Sequence, residues 1–312
     1  MDQFQAQPWK VRILVVVAVT CLVLLFVGGP RFSQRSHEHL WGLGHVLCFA
    51  VWSALLGGWR RDWSYRRLAM IVIGLTLGGG LVIELAQTMV GRYLSLVDMF
   101  NNLLGSLLAL LFFCPQRRVL PPLRRHLLQG VILLLLLPSG LPLGRVLLDE
   151  YAARRALPVL ADFESPGELA RWSGADMSLS EDIASHGRFA LKAMLTTDRY
   201  SGVGFKYFPR DWSGYRGLSF DLYNPSAEPL RVTCRIHDRL HPASGNAYSD
   251  RFNRSYLLPP GGWTTIDIDL EQVAGAPQTR PLDLGQIAGL GLFVTQQPVG
   301  KILYLDYLRL WR

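Results

Sequence analysis

Residues 83–105 place Glu84, Gln87, Arg92, Asp98, Asn101 and Asn102 within and between two segments that are otherwise apolar over membrane-helix lengths. An ionisable side chain at bilayer depth costs on the order of 3 kcal/mol or more unless it faces a bundle interior or an opposite charge. A chain carrying this stretch is therefore constrained to a helical bundle that turns these groups inward. Helical spacing agrees: Glu84 and Gln87 are three positions apart and Asp98 and Asn102 four, so each pair shares a face.

The apolar residues, 50% of the 312, are unevenly spread. Up to about Leu148 they come in long runs, whereas from Ala161 onward they alternate with polar residues. This predicts a multi-domain chain: a transmembrane helical domain over residues 1–150, then an antiparallel β-sandwich over residues 158–312. Runs near residues 11–27, 39–58, 68–90, 96–113 and 127–148 approach the roughly 20 residues needed to cross the hydrocarbon, predicting about five spans. The first is long for a signal peptide and lacks a small-x-small cleavage site, so it reads as an uncleaved helix. Pro138, Gly140, Pro142 and Gly144 are expected to kink the last one.

The net charge of +8 belongs to the first domain, with 14 Lys+Arg against 7 Asp+Glu in residues 1–150 and 18 against 17 in the remainder. No basic face with interleaved aromatics is left to bind nucleic acid. The excess lies in three clusters: Lys10 and Arg12; Arg60, Arg61, Arg66 and Arg67; Arg117, Arg118, Arg124 and Arg125. Placing all three in the cytoplasm satisfies the positive-inside rule and puts the N-terminus inside and residues 158–312 outside a cytoplasmic (inner) membrane. Glu84, Gln87, Asp98, Asn102 and His45 then fall at one depth in the outer leaflet. Gly74 with Gly78, and Gly105 with Ala109, form small-xxx-small pairs expected to bring the two polar helices together. The run His37-Glu38-His39 suits a solvated loop better than a metal site, because residues two apart do not share a helix face. The spacing of the four cysteines supports neither a disulfide framework nor a zinc site.

The spacing Glu84-x2-Gln87-x4-Arg92-x5-Asp98-x3-Asn102-x2-Gly105, preceded by His45-x3-Phe49, resembles the core motif of the VanZ-like family, named for a teicoplanin-resistance protein. The family's Asp-Lys before the histidine is Trp41-Gly42 here. The resemblance covers residues 10–115 and implies a small helical protein of the cell envelope without a defined reaction. Its membrane pocket would be His45, Glu84, Gln87, Arg92, Asp98 and Asn102. Two roles fit the pocket: contact with a membrane lipid or lipid-linked headgroup, or catalysis with Glu84 or Asp98 as general base and His45 as partner. Pairing that merely holds helices together is the plain structural alternative.

In the second half, segments 217–223, 230–236, 263–270 and 302–310 alternate with period two and are punctuated by Asn-Pro and Pro-Pro-Gly-Gly turns, the pattern of an antiparallel sandwich. Asp162-Phe-Glu164, residues 185–191, residues 211–215, residues 220–224 and residues 305–310 resemble the galactose-binding-like jelly-roll modules found among carbohydrate-binding domains. That resemblance implies a glycan or lipid-linked glycan ligand and, near the termini, a structural calcium that would fit Glu164 and Asp306, since oxygen ligands suit calcium. Arg235, His237 and Asp238 on one strand, with Tyr248, Asp250, Arg251 and Asn253 after it, are the ligand-binding candidates; an internal salt-bridge network explains the same cluster equally well. Aromatic faces pack on sugar C–H groups, and planar charged groups bind hydroxyls in pairs. Trp172, Trp212 and Trp263 read as core anchors. The combined expectation is a membrane protein of the cell envelope that binds a glycan through its sandwich; the alternatives are an enzyme acting on a lipid-linked glycan and a passive anchor.

Overall fold

In the computed structural model of the chain, residues 34–89 and 94–312 are described, with scattered helical positions between Arg12 and Val23. The chain divides into two compact units, Met1–Leu147 and Leu148–Arg312.

The first unit contains α1 (Arg35–Trp59), α2 (Tyr65–Thr88), α3 (Leu96–Phe112) and most of α4 (Pro122–Arg155). Serines start two of them: the Ser64 hydroxyl accepts from Arg67 N–H at 3.3 Å and the Ser95 hydroxyl from Asp98 N–H at 3.1 Å, satisfying donors that a helix N-terminus leaves unpaired. Three described helices, α1, α2 and α4, are long and apolar enough to cross a membrane. This corrects the count of five: the first predicted span lies largely outside the described residues, and α3 has only 17 residues. His37, Glu38 and His39 lie in the first turns of α1 instead of a loop. Pro138 and Pro142 sit inside α4, which continues as one helix of 34 residues. Each proline removes one backbone donor, a loss that a helix with the rest of its ladder intact absorbs without ending.

The glycine contacts also depart from expectation. Nothing lies within 4 Å of a Cβ built at Gly74 or Gly78. The buried stripe of α2 is Val72, Thr76, Gly80, Glu84 and Gln87. That stripe is two positions out of phase with Gly74 and Gly78, about 200° around the helix. Gly80 faces Asn102, whose Nδ2 would be 3.0 Å from an added Cβ. Gly105 does permit a close approach, but to α1: a Cβ there would overlap the Val46 carbonyl. A chain of buried hydroxyls joins the three helices, with Ser53 donating to Ser106 at 3.0 Å, Ser106 and Thr76 2.6 Å apart, and Thr76 donating to the Val72 carbonyl at 2.8 Å.

The second unit is an antiparallel sandwich. One sheet has the order β3 (Asp176–Ser180), β4 (Ala190–Leu195), β11 (Lys301–Trp311), β6 (Gly217–Tyr223), β9 (Trp263–Asp269), with β1 (Val159–Ala161) also pairing β11. The other has the order β2 (Trp172–Gly174), β5 (Tyr200–Phe205), β10 (Ile287–Thr295), β7 (Leu230–Asp238), β8 (Phe252–Leu258). Alternation decides which face turns in, since each buried Leu, Val or Phe contributes about 1.5–3 kcal/mol. Val232, Cys234 and Ile236 of β7, Leu290 and Leu292 of β10, and Leu218, Phe220 and Leu222 of β6 join one core. Trp172 and Trp212 belong to that core. Trp263 does not: it is half-buried and lies 5.5 Å from the Tyr223 ring. Inside this unit, Arg171, only 4% exposed, donates to both carboxylate oxygens of Asp149 near the end of α4.

Candidate functional site

The register of the second sheet assembles a site on its outer face. Cross-strand partners share a face, so Asn253, Arg235, Gly291, Gly204 and Ser173 form one row across all five strands. The next row holds Ser255, Thr233, Phe293 and Gly202, and His237 faces Gly289. Gly202, Gly204, Gly289 and Gly291 leave two neighbouring strands without side chains, a strip roughly 10 Å wide at the usual strand spacing. The His237 ring lies over Gly289, where an added Cβ would come within 2.7 Å of it. At the other side Tyr200, 60% exposed, meets Phe293 edge to face at 5.8 Å. The result is a glycine-floored groove between an aromatic wall and a basic one.

The basic wall is Arg235, His237 and Arg251. No Asp or Glu occurs among the described residues of this face. Arg235 Nε, His237 Nδ1, Arg251 Nε and Asn253 Oδ1 are buried without a hydrogen-bond partner. Burial and then the charge of Arg251 lower the Arg235 pKa. Tyr248, 71% exposed, stands beside this wall with the Arg251 guanidinium 5.5 Å from its ring, and Asn253 Nδ2 donates to the Tyr248 carbonyl at 3.2 Å.

Asp238 and Asp250 sit in an internal salt-bridge network, the alternative that the sequence left open for this cluster. Arg280 donates to both oxygens of Asp238 and, at 2.8 Å, to Asp250 Oδ2. Asp238 also accepts from the backbone N–H groups of Leu240 at 3.1 Å and Asp283 at 2.9 Å. Asp250 accepts from the Ser244 hydroxyl at 2.8 Å and lies 3.2 Å from His241 Nδ1. These two carboxylates are enclosed in an ion-pair network that ties residues 239–251 to Arg280, so the candidate set divides into an outward basic wall and its support. The groove residues Gly202, Gly204, Gly289, Gly291, Tyr200 and Phe293 were not among the sequence candidates; their signal was glycine at alternate positions on two strands.

Burial, then the charges of Arg235, His241 and Arg251, lower the His237 pKa to about 4. The unfolded side chain protonates near 6.5. Between those values the unfolded state holds the extra proton, so stability falls as pH falls from about 6.5 toward about 4, by at most about 3 kcal/mol. Glu168, raised to about 7 mainly by burial, tilts the other way. The histidine's share is therefore the difference between wild type and His237→Gln: thermal melts across pH 7 to 4 should fall less steeply in the variant.

Glu164 and Asp306, the pair expected at a calcium site, each hold backbone N–H groups. Glu164 Oε1 accepts from the N–H groups of Arg188 at 2.7 Å and Phe189 at 2.9 Å. Asp306 Oδ2 accepts from Ser185 at 2.8 Å and His186 at 2.9 Å, and its Oδ1 from Tyr307 at 2.7 Å. These N–H donors anchor a loop, residues 185–189, while Glu164 Oε2 accepts none of them.

In the first unit, His45, Glu84, Asp98 and Asn102 do come together. His45 Nδ1 is 2.9 Å from Asn102 Oδ1 and its Nε2 3.8 Å from Asp98 Oδ2. Glu84 Oε2 accepts from Ser95 N–H at 2.8 Å. Gln87 is 1% exposed on the same stripe of α2. Arg92 lies outside the described residues. His45 and Glu84 have no exposed surface, whereas the Asp98 side chain keeps 14% of its exposure.

No family model and no curated protein matches the chain. Solved structures similar to part of it include carbohydrate-binding modules and agarases. A family 11 carbohydrate-binding module from Clostridium thermocellum, in complex with a β-1,3-1,4-mixed-linked tetrasaccharide, is 20% identical over 49% of this chain and 94% of its own, with a TM-score of 0.35. A family 22 xylan-binding domain from Paenibacillus barcinonensis is 17% identical over 48% and 96%, with a TM-score of 0.34. An exo-β-agarase is 20% identical over 49% of this chain, which spans 24% of the agarase, with a TM-score of 0.39. At that level the likeness carries no ligand with it.

Proposed function

We propose that the protein is a membrane-anchored glycan-binding protein, and that the outer face of its second sheet takes an acidic saccharide. The observation that carries this reading is the groove itself: Arg235 and Arg251 face a glycine-floored strip that holds no Asp or Glu among its described residues. Two guanidinium groups that repel each other and lack acid partners are favourable only when an anion or a dense set of hydroxyls arrives. Tyr200 and Phe293 supply flat apolar surface on the opposite side, against which the C–H face of a sugar ring packs. His237, uncharged above about pH 4, is left to exchange hydrogen bonds with hydroxyls.

The helical unit serves in this reading as the anchor, with three helices of spanning length. Setting the basic clusters inside the cell, which requires the 17-residue α3 to cross along with the longer helices, puts residues 158–312 on the outer side of a cytoplasmic membrane, where a bacterial-type envelope presents acidic polysaccharides, and the VanZ-like spacing of the helical unit agrees with that setting. The test is retention of the full-length protein, in detergent micelles, on immobilised uronate polymers such as pectate and alginate and on neutral β-glucan and xylan. Retention by the acidic polymers that weakens as salt is raised is expected. Equal retention by neutral polymers would remove the anionic part of the reading; no retention by any of them would remove the whole of it.

A further inference from the structure

Three metal-ligating side chains from three different helices meet inside the first unit: His45 on α1, Glu84 on α2 and Asp98 on α3. One ligand atom from each lies within 4.8 Å of the other two. His45 and Glu84 are 0% exposed, and His45 Nε2 and Glu84 Oε1 are buried without a hydrogen-bond partner. A ring nitrogen and a carboxylate oxygen left in that state are costly, and the arrangement persists only if something completes it.

We propose that His45, Glu84 and Asp98 bind a single divalent transition-metal ion of the zinc or manganese class. The surrounding bonds prepare each ligand. Asn102 Oδ1, 2.9 Å from His45 Nδ1, accepts the proton there and leaves the lone pair on Nε2, facing the carboxylates. Ser95 N–H holds Glu84 Oε2 at 2.8 Å and turns Oε1 toward the centre. One imidazole with two carboxylates suits zinc, manganese or ferrous iron, while calcium and magnesium favour oxygen alone. Ligands about 2.1 Å from one ion stand roughly 3.3–4.2 Å apart. The His45–Asp98 separation of 3.8 Å already satisfies this, and the 4.8 Å limit on the remaining pairs means a closure of at most about 1.4 Å to the tetrahedral spacing of about 3.4 Å. Three protein ligands leave at least one coordination position open. An ion there gives Glu84 Oε1 a partner of opposite charge and ties three helices at one point. The site shares no residue with the glycan groove, so either proposal survives the failure of the other.

The test uses untagged full-length protein in detergent, stripped with a chelator and then dialysed against zinc or manganese. About one equivalent retained per chain is expected, together with a rise in melting temperature. His45→Gln and Glu84→Gln should lose retention and the melting shift, and Asn102→Ala, which removes the acceptor that sets the His45 tautomer, should weaken affinity about 10-fold or more. No retention by the wild type, or equal retention by the His45 and Glu84 variants, overturns the proposal. If those variants fail to accumulate, the cobalt-loaded wild type decides: absorption bands of a protein-bound ion support the site, and the spectrum of the aqueous ion overturns it.

Discussion

Arg280→Ala is expected to lower the melting temperature of the second unit by on the order of 10 °C at pH 7, because breaking a buried ion pair from one side leaves a desolvated charge without compensation. Asp238 has no exposed surface, and Arg280 donates to both of its oxygens as well as to Asp250. Burial alone would raise the Asp238 pKa, but the hydrogen bonds from Arg280 and Asp283 more than offset it and hold the group below the usual carboxylate range. Asp250 is lowered to about 2, first by Arg280 and then by the Ser244 hydroxyl. Such depressed carboxylates contribute stability that is present above their unfolded pKa near 3.9 and lost as pH falls through the folded value. The deficit of the variant should therefore be large at neutral pH and shrink toward pH 2, which calorimetry across pH reads directly. Arg280→Lys keeps the charge but not the two-pronged geometry and should fall between. A melting temperature unchanged at pH 7 would mean that Asp238 and Asp250 are held by their other donors alone.

That network shows where sequence reading stops. Arg235 and His237 are legible on β7, because period-two alternation sends them outward as surely as it sends Cys234 and Ile236 inward. Asp238 and Asp250 belong to the same run of polar residues, yet their partner lies 42 and 30 positions away, beyond any local pattern. The groove floor was hidden for a different reason. Glycine in a strand normally marks a bulge or a weak point, and only the register shows Gly202, Gly204, Gly289 and Gly291 side by side with Arg235 and His237 as their neighbours. In the helical unit the acids identified their own face, while the glycines did not. A three- or four-residue spacing gives a face but not its direction, so Gly74 and Gly78 were paired correctly with each other and turned the wrong way. The polar centre at His45, Glu84, Asp98 and Asn102 was recognised as a group, since buried charge in an apolar run has few places to go; how deeply each member is buried became visible only once three helices were in place.

Arg235→Ala is expected to weaken binding to an acidic polysaccharide about 10- to 100-fold, the range for losing a charged hydrogen-bonding partner, while leaving the fold intact. The second half of that statement separates it from an ordinary core mutation. Arg235 has no carboxylate partner among the described residues and is opposed by the charge of Arg251, so truncation relieves a repulsion at the same time as it removes a contact. Melting should stay level or rise slightly, and raising the salt concentration should weaken the variant's binding less than the wild type's. Gly291→Leu tests the floor beside it by shape alone. A Cβ at Gly291 meets nothing closer than 3.9 Å, so the substitution fits the strand and its side chain occupies the strip where a sugar ring would lie. At Gly202, by contrast, a Cβ would overlap the Leu292 carbonyl, so Gly202→Ala should lower stability first and binding only in consequence. Loss of binding in Gly291→Leu with an unchanged melt, set against a lowered melt in Gly202→Ala, locates the ligand in the groove. Full binding by Gly291→Leu would move the ligand elsewhere on the domain, and the exposed Tyr248 beside the basic wall is then the next residue to remove.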